Sequence, residues 1–435
     1  MLSQMALTSL GQECREDPFQ TPPAALASLN PLRWLTVFGP GAIVASLTIG
    51  TGELIFSSRG GALFGYRILS LFAVISLFKW TLLYSAARHM VLTGVHPLRR
   101  WLDAPLGPRG WLPAVMVVFA AVCIPVWVSF HASVLGDWVA SLTGTKRLMN
   151  GATVHLWGML TLLGVALLAL RGGYSALEKV QLAVVSLMLL TVSVALALLK
   201  PDWLEMLWGA VWPRPLAYPD WLTSDARPEL QRIAARPVWV EGALYVGVIG
   251  GASFDYLAYT SFLRDKRWGL AGKQYVLSTL TPLTDSQQAL LKRWIRAPLI
   301  DCTLSFLVVL GFSAVFVASG RLVLAPQRLV PGDGGFLQHQ AQFVTQLHPW
   351  LYPLYVVGTL LAMLGTLYGT LEVAPAVFRE ASRLLARSDA AKQARSLRRV
   401  ALAWTVAGAV LVLVVSFAVQ YASGASKPAG LTTLL

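Results

Sequence analysis

Charged side chains are scarce in this sequence. Asp, Glu, Lys and Arg make up 13% of its 435 residues, whereas a typical soluble domain has about 25%. Hydrophobic residues make up 56%, and the mean hydropathy is +0.61. These values exclude a soluble enzyme, a disordered chain and a secreted disulfide-rich scaffold, because each of those classes needs more charge or more cysteine. The composition predicts an all-α polytopic membrane protein.

Cysteine and the usual catalytic motifs are equally rare. The three cysteines, Cys14, Cys123 and Cys302, are too widely spaced for a metal motif or a disulfide framework. The sequence contains no HExxH, no P-loop, no CxxC and no GxGxxG before a helix. We therefore expect neither an enzyme nor a bound cofactor. The net charge of +14 is explained by basic loops at an anionic membrane surface, so a nucleic-acid partner is not expected.

Long apolar runs recur along the chain after a polar N-terminal segment. Each is long enough to cross about 30 Å of hydrocarbon as a helix, and nine such spans are predicted, at 34–58, 68–93, 112–140, 153–170, 176–199, 239–262, 298–319, 350–377 and 399–422. The predicted organisation is a tail at 1–32, a first repeat of spans 1–5 at 33–200, an extracytoplasmic loop at 201–238, and a second repeat of spans 6–9 at 239–435 that is one span short.

Lys and Arg are distributed unevenly between the connections. With the N-terminus inside, the inner connections carry dense basic clusters at 264–296 and 379–399. The outer connections, which include Arg59 and Arg67, carry fewer. Because basic loops are retained on the cytoplasmic side, we predict an integral inner or plasma membrane protein with a cytoplasmic N-terminus.

Two spans contain glycine clusters in corresponding positions of the two predicted repeats. Span 1 contains Gly50-Thr51-Gly52, and span 6 contains Gly247, Gly250 and Gly251. Glycine weakens a helix by about 1 kcal/mol relative to alanine, and unpaired backbone groups are tolerated at membrane depth only beside a cavity or buried in protein. Paired breaks are typical of transporter sites built from inverted repeats. The alternative is that the small residues only allow close helix packing.

The segment around the first break resembles a known family. GPGAIVASLTIGTGELIFSSRGGALFGY at 39–66 is similar, without a gap, to the first span of the Nramp (natural resistance-associated macrophage protein) divalent-metal transporters. Looser matches are ARHMVLTG at 87–94, YSALEKV at 174–180 and Asp301 at the start of span 7. The resemblance implies a LeuT-like inverted-repeat transporter fold, here with about nine transmembrane helices. It also implies that spans 1 and 6 are broken, with a binding site between them.

The metal-binding motifs of that family are altered in this chain. The family's Asp-Pro-Gly-Asn in span 1 is replaced by Gly50-Thr51-Gly52-Glu53. Its Met-Pro-His in span 6 is also absent, with Ser253 at the place of the metal-binding methionine and Asp255 near that of the histidine. At the two positions of span 3 where the family has acidic residues, this chain has Phe130 and Ser133. Loss of the soft thioether predicts a preference for harder cations than is usual for the family.

One carboxylate follows each break, Glu53 in span 1 and Asp255 in span 6. A carboxylate beside carbonyl groups freed by an unwound helix suits a hard divalent cation, so both are predicted metal ligands. Without a cation, two neighbouring carboxylates would share a proton. A purely structural role is the alternative for each. The other residues of the predicted binding site are Gly50, Thr51, Gly250, Ser253 and Tyr256.

Five more ionisable residues lie in or beside the spans. His131, Glu178 and Asp301 are predicted coupling or gate residues, with packing as the alternative for His131 and a solvated face for Glu178. Lys79 in span 2 is expected to be the structural partner of a carboxylate, because an unpaired charge is costly in a membrane. Glu372 is predicted to line the inner vestibule.

Three functions are compatible with these features. The first is a secondary transporter that moves a divalent cation, similar to Mg²⁺ or Mn²⁺, by alternating access and with or without proton coupling. The second is a transporter of an amino acid or small organic solute on the same fold. The third is a transport-inactive relative that acts as a sensor or scaffold. The expected partners are the ion or solute and membrane lipid, and the sequence leaves the oligomeric state open.

Overall fold

The computed structural model describes residues 21–104, 107–172, 174–271, 284–331, 345, 349–385 and 390–423, and the regular structure in that part of the chain is helical. The long helices are α1a (Pro40–Thr48), α1b (Thr51–Phe64), α2 (Ile68–Thr93), α3 (Trp111–Leu142), α4 (Thr153–Arg171), α5 (Tyr174–Leu199), α6a (Val238–Val248), α6b (Ser253–Lys266), α7 (Arg296–Ser319), α8 (Tyr352–Leu385) and α9 (Ala390–Ser423). Short helices connect them at Pro31–Trp34, Pro97–Arg100, Trp203–Val211, Asp220–Ser224, Pro228–Ala234 and Asp285–Trp294.

Each of the nine predicted spans coincides with one long helix or with a broken pair. In the described residues, six continuous helical stretches are long and apolar enough to cross a membrane, or seven if the bent pair Pro228–Ala234 and Val238–Lys266 is one span. This count is lower than nine partly because α1b and α2 merge into the stretch Gly52–Thr93. Helix α5 is not among these stretches, although it has 26 residues and lies where span 5 is predicted.

Spans 1 and 6 are interrupted, as the glycine clusters predict. Only Ile49 and Gly50 separate α1a from α1b, one residue earlier than the predicted break. Helix α6a ends at Val248, and α6b begins at Ser253. Between them Gly250 and Gly251 have φ angles of +83° and +85°, which a side chain disfavours by about 1–2 kcal/mol per residue. Glycine is therefore the residue that permits the second break.

Large apolar side chains point outward along the long helices. The most exposed groups lie on α2, α3 and α9, and include Leu77, Phe78, Leu82, Val118, Phe119, Val122, Leu411, Val415 and Val419. Soluble monomers rarely expose continuous apolar surface of this extent, whereas hydrocarbon accommodates it at no cost. The chain is an integral membrane protein.

Helix α1a lies inside the bundle, where it contacts α5, α6b, α7 and α8, and all nine of its residues are buried. Helices α3, α4, α8 and α9 pack against one another as a second group. Helix α8 belongs to both groups, because it also contacts α6b. At the breaks themselves, Ile49, Gly50, Ile249, Gly250 and Gly251 are buried, so the backbone groups freed there face protein instead of lipid.

The structure corrects one predicted boundary and adds detail to one predicted connection. Span 1 continues to Phe64, so Arg59 lies within α1b and is buried, not in an outer connection. The segment 201–238, predicted as a loop, contains three short helices. Helix propensity was underestimated in both places because the prediction followed the length of the apolar run alone.

Candidate functional site

Glu53 joins the two helix breaks. Its side chain is fully buried, and its Oε1 accepts a hydrogen bond from the backbone N–H of Gly250 at 3.1 Å. Its Oε2 accepts from the hydroxyl groups of Ser57 at 2.9 Å and Ser313 at 2.6 Å. The carboxylate thus connects α1b with the break of span 6 and with α7. Every one of these contacts is made by a neutral donor.

The ammonium group of Lys79 lies on the same break from the side of α2. Its Nζ donates to the carbonyl oxygens of Ile249 at 2.6 Å and Gly251 at 2.7 Å. Glu53 and Asp255 lie near enough to attract this ammonium electrostatically. The sequence led us to expect a carboxylate as the direct partner of Lys79. Its direct partners are instead carbonyl groups that the break has freed from helical hydrogen bonding.

The start of α6b completes the break. Asp255 accepts a hydrogen bond from the backbone N–H of Ala252 at 2.7 Å, in the manner of a capping carboxylate. The hydroxyl of Tyr256 donates to the carbonyl of Gly250 at 2.6 Å. Ser253 is exposed at the first position of α6b, so it does not take part in these contacts.

The two breaks approach each other and helix α8 closely. A Cβ atom on Gly251 would lie 2.9 Å from Oγ1 of Thr48, the last residue of α1a. A Cβ atom on Gly50 would lie 2.0 Å from Oγ1 of Thr366 on α8. Thr51 begins α1b, and its side chain lies outside the described part of the chain. Of the predicted binding residues, Gly50, Glu53, Gly250, Asp255 and Tyr256 are gathered at the breaks.

The site contains two carboxylates and one ammonium, which leaves one excess negative charge when all three are ionised. Its other polar groups are carbonyl and hydroxyl oxygens, which favour hard cations. In the described residues there is no cluster of three or more His, Cys, Asp or Glu side chains arranged to hold a metal ion. A metal at this site would therefore depend on backbone carbonyls and water in addition to the two carboxylates.

Asp301 fixes the beginning of α1a. Its Oδ1 accepts from the backbone N–H of Gly39 at 3.0 Å, and its Oδ2 accepts from the N–H of Gly41 at 2.7 Å and the hydroxyl of Tyr259 at 2.8 Å. The first N–H groups of a helix have no partner within it, and Asp301 of α7 supplies one. A Cβ atom on Gly41 would lie 2.6 Å from the Asp301 carbonyl oxygen, so this contact requires glycine.

Ion pairs lie at the end of the bundle where α1a begins, which we call the α1a end. Three of them tie α6b to α5 and α8: Lys266–Glu178 at 2.6 Å, Arg264–Glu380 at 3.0 Å and Arg379–Asp265 at 2.8 Å. Glu178 is thus paired as a gate residue would be, and its gating role stays a prediction. Glu372, the predicted vestibule residue, is buried and hydrogen-bonded to Arg398 of α9.

Comparison with known proteins identifies the chain. Residues 41–417 match the family model described as natural resistance-associated macrophage protein-like. The chain belongs to the Nramp family. The family model covers both breaks and every long helix from α1b to α8, so the resemblance first seen at 39–66 is confirmed.

Individual relatives of this Nramp chain are distant. The divalent metal cation transporter MntH of Agrobacterium fabrum is 25% identical over 182 residues, which are 41% of this chain and 37% of that protein. A crystal structure of the Eremococcus coleocola manganese transporter in complex with an aromatic bis-isothiourea compound has a TM-score of 0.60 at 16% identity. A mutant of that transporter has a TM-score of 0.62 at 17% identity, and each alignment covers 93% of this chain and 75% of the other. These structures show that the fold is the LeuT-like fold of Nramp transporters.

Helix α3 differs from the pattern that the Nramp resemblance implies. At the two expected acidic positions, Phe130 makes an edge-to-face contact with the ring of His131, and Ser133 lies 3.3 Å from Nδ1 of His155 on α4. His131 itself is half-buried on α3. Its predicted coupling role stays a prediction. His155 was missed because a lone histidine in an apolar run gives no signal of its partner.

A buried ion pair at the opposite end of this Nramp bundle was also missed. Arg59 of α1b forms a bidentate pair with Glu241 of α6a and donates to the carbonyl of Pro331 at 2.9 Å. Tyr245 donates to the same carboxylate at 3.2 Å. We call the end of the bundle that contains this ion pair the α1b end. An acidic residue within the apolar run of span 6 was the available signal, because such a residue requires a partner.

Proposed function

We propose that this protein is a secondary transporter that moves a divalent metal cation across the membrane by alternating access. Membership of the Nramp family and the LeuT-like fold support the class of activity. The observation that carries the proposal is the hydrogen bond between Glu53, which follows the first break, and the N–H of Gly250 in the second. It places a carboxylate between two broken helices, where transporters of this architecture bind their substrates.

The proposed substrate is a hard cation such as Mg²⁺ or Mn²⁺. The candidate ligands are the carboxylates of Glu53 and Asp255 and the carbonyl groups at 249–251, and all of them are oxygens. A hard cation needs about six oxygen ligands, so bound water completes the shell. Because no thioether or thiolate is among these groups, we expect Cd²⁺ to compete poorly with Mn²⁺.

Alternating access requires the two ends of the bundle to open in turn. The α1a end is held by the ion pairs of α6b, and the α1b end is held by Arg59 and Glu241. Both sets of contacts are formed in this structure. We propose that the α1a end faces the cytoplasm, as the basic connections indicate, and that substrate binding weakens one set while the other is kept.

Uptake by purified protein in liposomes tests the proposal. Mn²⁺ and Mg²⁺ uptake should be measured with and without a pH gradient, in the wild type, Glu53→Gln and Asp255→Asn. Glu53→Gln should abolish uptake and any pH dependence, because it removes the carboxylate between the breaks, and Asp255→Asn should reduce uptake only in part. Asp220→Asn, at an exposed position of the 201–238 segment, is the matched control and should transport at the wild-type rate.

The main alternative outcomes separate clearly in this assay. Uptake by Glu53→Gln at the wild-type rate, in protein that elutes as a single folded species, would contradict the proposed role of the carboxylate. Cd²⁺ that inhibits Mn²⁺ uptake more strongly than Mg²⁺ does would contradict the hard-cation preference. Absence of divalent uptake by the wild type would remove the proposal and leave two candidates for the family fold, a transporter of an organic solute and a transport-inactive sensor or scaffold.

A small organic solute is the second candidate, favoured by one observation. The ammonium of Lys79 is fixed at the centre of the site, where it reduces the attraction for a divalent cation and offers a positive charge to a carboxylate group. The same liposomes should therefore be tested with a mixture of labelled amino acids. Amino-acid uptake without divalent uptake would favour this candidate.

A further inference from the structure

Lys79 is one of the side chains that satisfy the backbone carbonyl groups at the break of span 6. Three successive carbonyl groups of the break in span 6 each accept a hydrogen bond from a side chain. Lys79 donates to those of Ile249 and Gly251, and Tyr256 donates to that of Gly250. Freed carbonyls at membrane depth must be satisfied within the protein, and a cation is the strongest available partner for two of them.

The break is built to admit this side chain. A Cβ atom on Gly250 would lie 3.1 Å from Cδ of Lys79 and 3.3 Å from the ring of Phe306. The positive φ of Gly250 and Gly251 gives this stretch its non-helical course, and no side chain at Gly250 obstructs the lysine stem. Two carboxylates, Glu53 and Asp255, lie near enough to stabilise the charge of the ammonium. Carbonyl dipoles with nearby carboxylates are the environment in which proteins bind free cations.

We infer that the ammonium of Lys79 is a tethered cation that occupies a cation-binding position formed by the carbonyls of Ile249 and Gly251. A free monovalent cation should occupy this position when the lysine is removed. A divalent substrate then binds in competition with the ammonium, a second step that rests on the proposed function. Lys79 is therefore a specificity-determining residue, because a substrate cation must displace one that is already present.

Chemical rescue tests the tethered cation. Lys79→Ala should be purified in detergent and its thermal unfolding measured in about 100 mM methylammonium chloride and in about 100 mM choline chloride. Methylammonium is small enough to replace the amine, whereas choline is too large. The melting temperature of Lys79→Ala should be about 2 °C higher in methylammonium, because a ligand that binds only the folded state stabilises it. The wild type should melt at the same temperature in both salts.

Lys266→Ala is the matched control. Lys266 is also a lysine of a transmembrane helix, but its partner is the carboxylate of Glu178 at the α1a end, and it is partly exposed. Its removal should produce no difference between the two salts. If Lys79→Ala does not accumulate as folded protein, Lys79→Met, which keeps the volume of the stem, is measured in ammonium chloride against choline chloride with the same expectation.

Mn²⁺ binding to the same proteins separates the inference from the proposed function. Removal of one positive charge from the site should raise the affinity of Lys79→Ala for Mn²⁺ at least about tenfold over the wild type. No salt difference for Lys79→Ala and Lys79→Met would overturn the inference. If both proteins bind Mn²⁺ and do so with equal affinity, the proposed competition between substrate and ammonium is wrong. Methylammonium rescue without Mn²⁺ binding to either protein would support the tethered cation and count against the divalent substrate.

Discussion

The buried pair between Arg59 and Glu241 gives the most quantitative prediction. Both side chains are almost completely buried, and two guanidinium nitrogens of Arg59 contact the two carboxylate oxygens of Glu241. Glu241→Gln keeps the shape of the side chain and removes the negative charge, so that Arg59 remains buried as an uncompensated cation. Removal of one partner from a buried pair destabilises a protein by about 3–5 kcal/mol.

Removal of both charges should cost less than removal of one. In the double variant Arg59→Met, Glu241→Met, no buried charge remains, and replacement of a whole buried pair by apolar residues is often neutral. The remaining cost comes from Pro331, whose carbonyl loses its donor, and from Tyr245, whose hydroxyl loses its acceptor. Each such loss costs about 1–3 kcal/mol, or about 2–6 kcal/mol together, and removal of the two desolvated charges offsets about 1–4 kcal/mol of that cost. The double variant should therefore be more stable than Glu241→Gln.

Equilibrium unfolding by SDS in mixed micelles, followed by tryptophan fluorescence, measures these differences. The surface pair between Arg227, which is exposed, and Asp225, which is half-buried, is a matched control, because it has the same bidentate geometry, with N–O distances of 2.9 and 2.8 Å. Asp225→Asn should leave the unfolding curve unchanged, since exposed pairs contribute little. The reasoning is refuted if Glu241→Gln unfolds like the wild type, or if the double variant is the least stable of the set.

Three further perturbations test other parts of the structure. Burial lowers the pKa of His96 to about 4 from about 6.5 in the unfolded chain, so the free energy of unfolding is at its full value above pH 6.5 and should be about 2 kcal/mol lower at about pH 5. This loss should be absent in His96→Gln, and equal unfolding curves of the wild type at about pH 5 and above about pH 6.5 would contradict it. Gly251→Ala places a side chain at φ +85° and should destabilise the protein by about 1–2 kcal/mol, whereas Gly247→Ala, with open space around its Cβ position, should not destabilise it. Equal losses of stability in the two variants would contradict backbone strain at the break. Asp301→Asn should destabilise the protein by about 1.5–3 kcal/mol and Tyr259→Phe by about 1 kcal/mol, because the carboxylate of Asp301 accepts three hydrogen bonds and the hydroxyl of Tyr259 donates one of them. If SDS unfolding shows Tyr259→Phe to be the less stable variant, Asp301 does not hold the start of α1a.

The breaks were predictable from the sequence because their cause is local. Glycine lowers the cost of leaving the helix, and the clusters at 50–52 and 247–251 lie close to the observed interruptions. The gathering of Glu53 and Asp255 near one site was also predictable, since each follows a break in a corresponding span. Family membership followed from the motif at 39–66.

The contacts of the charged residues were not predictable in the same way. Lys79 satisfies carbonyl groups that are 170 or more positions away in sequence, and a residue type alone does not reveal such an acceptor. Arg59 was placed outside the membrane because span 1 was ended where its apolar run ended, while the helix continues to Phe64. A buried arginine is predicted at such a position only if its partner is known, because an unpaired buried charge is strongly destabilising, and the sequence did not identify Glu241 as that partner.

The two kinds of buried charge in this protein have different consequences for ion binding. Arg59 and Glu241 contact each other directly, so each neutralises the other and neither has a remaining attraction for a free ion. At the breaks, Glu53 is held by neutral donors and Lys79 by carbonyls. Neutral donors and carbonyls carry no net charge, so the group of Glu53, Asp255 and Lys79 keeps one excess negative charge when all three are ionised. The charges at the breaks therefore act on an approaching ion, which supports our proposal that a substrate cation is selected at the centre of the bundle and not at its ion-paired ends.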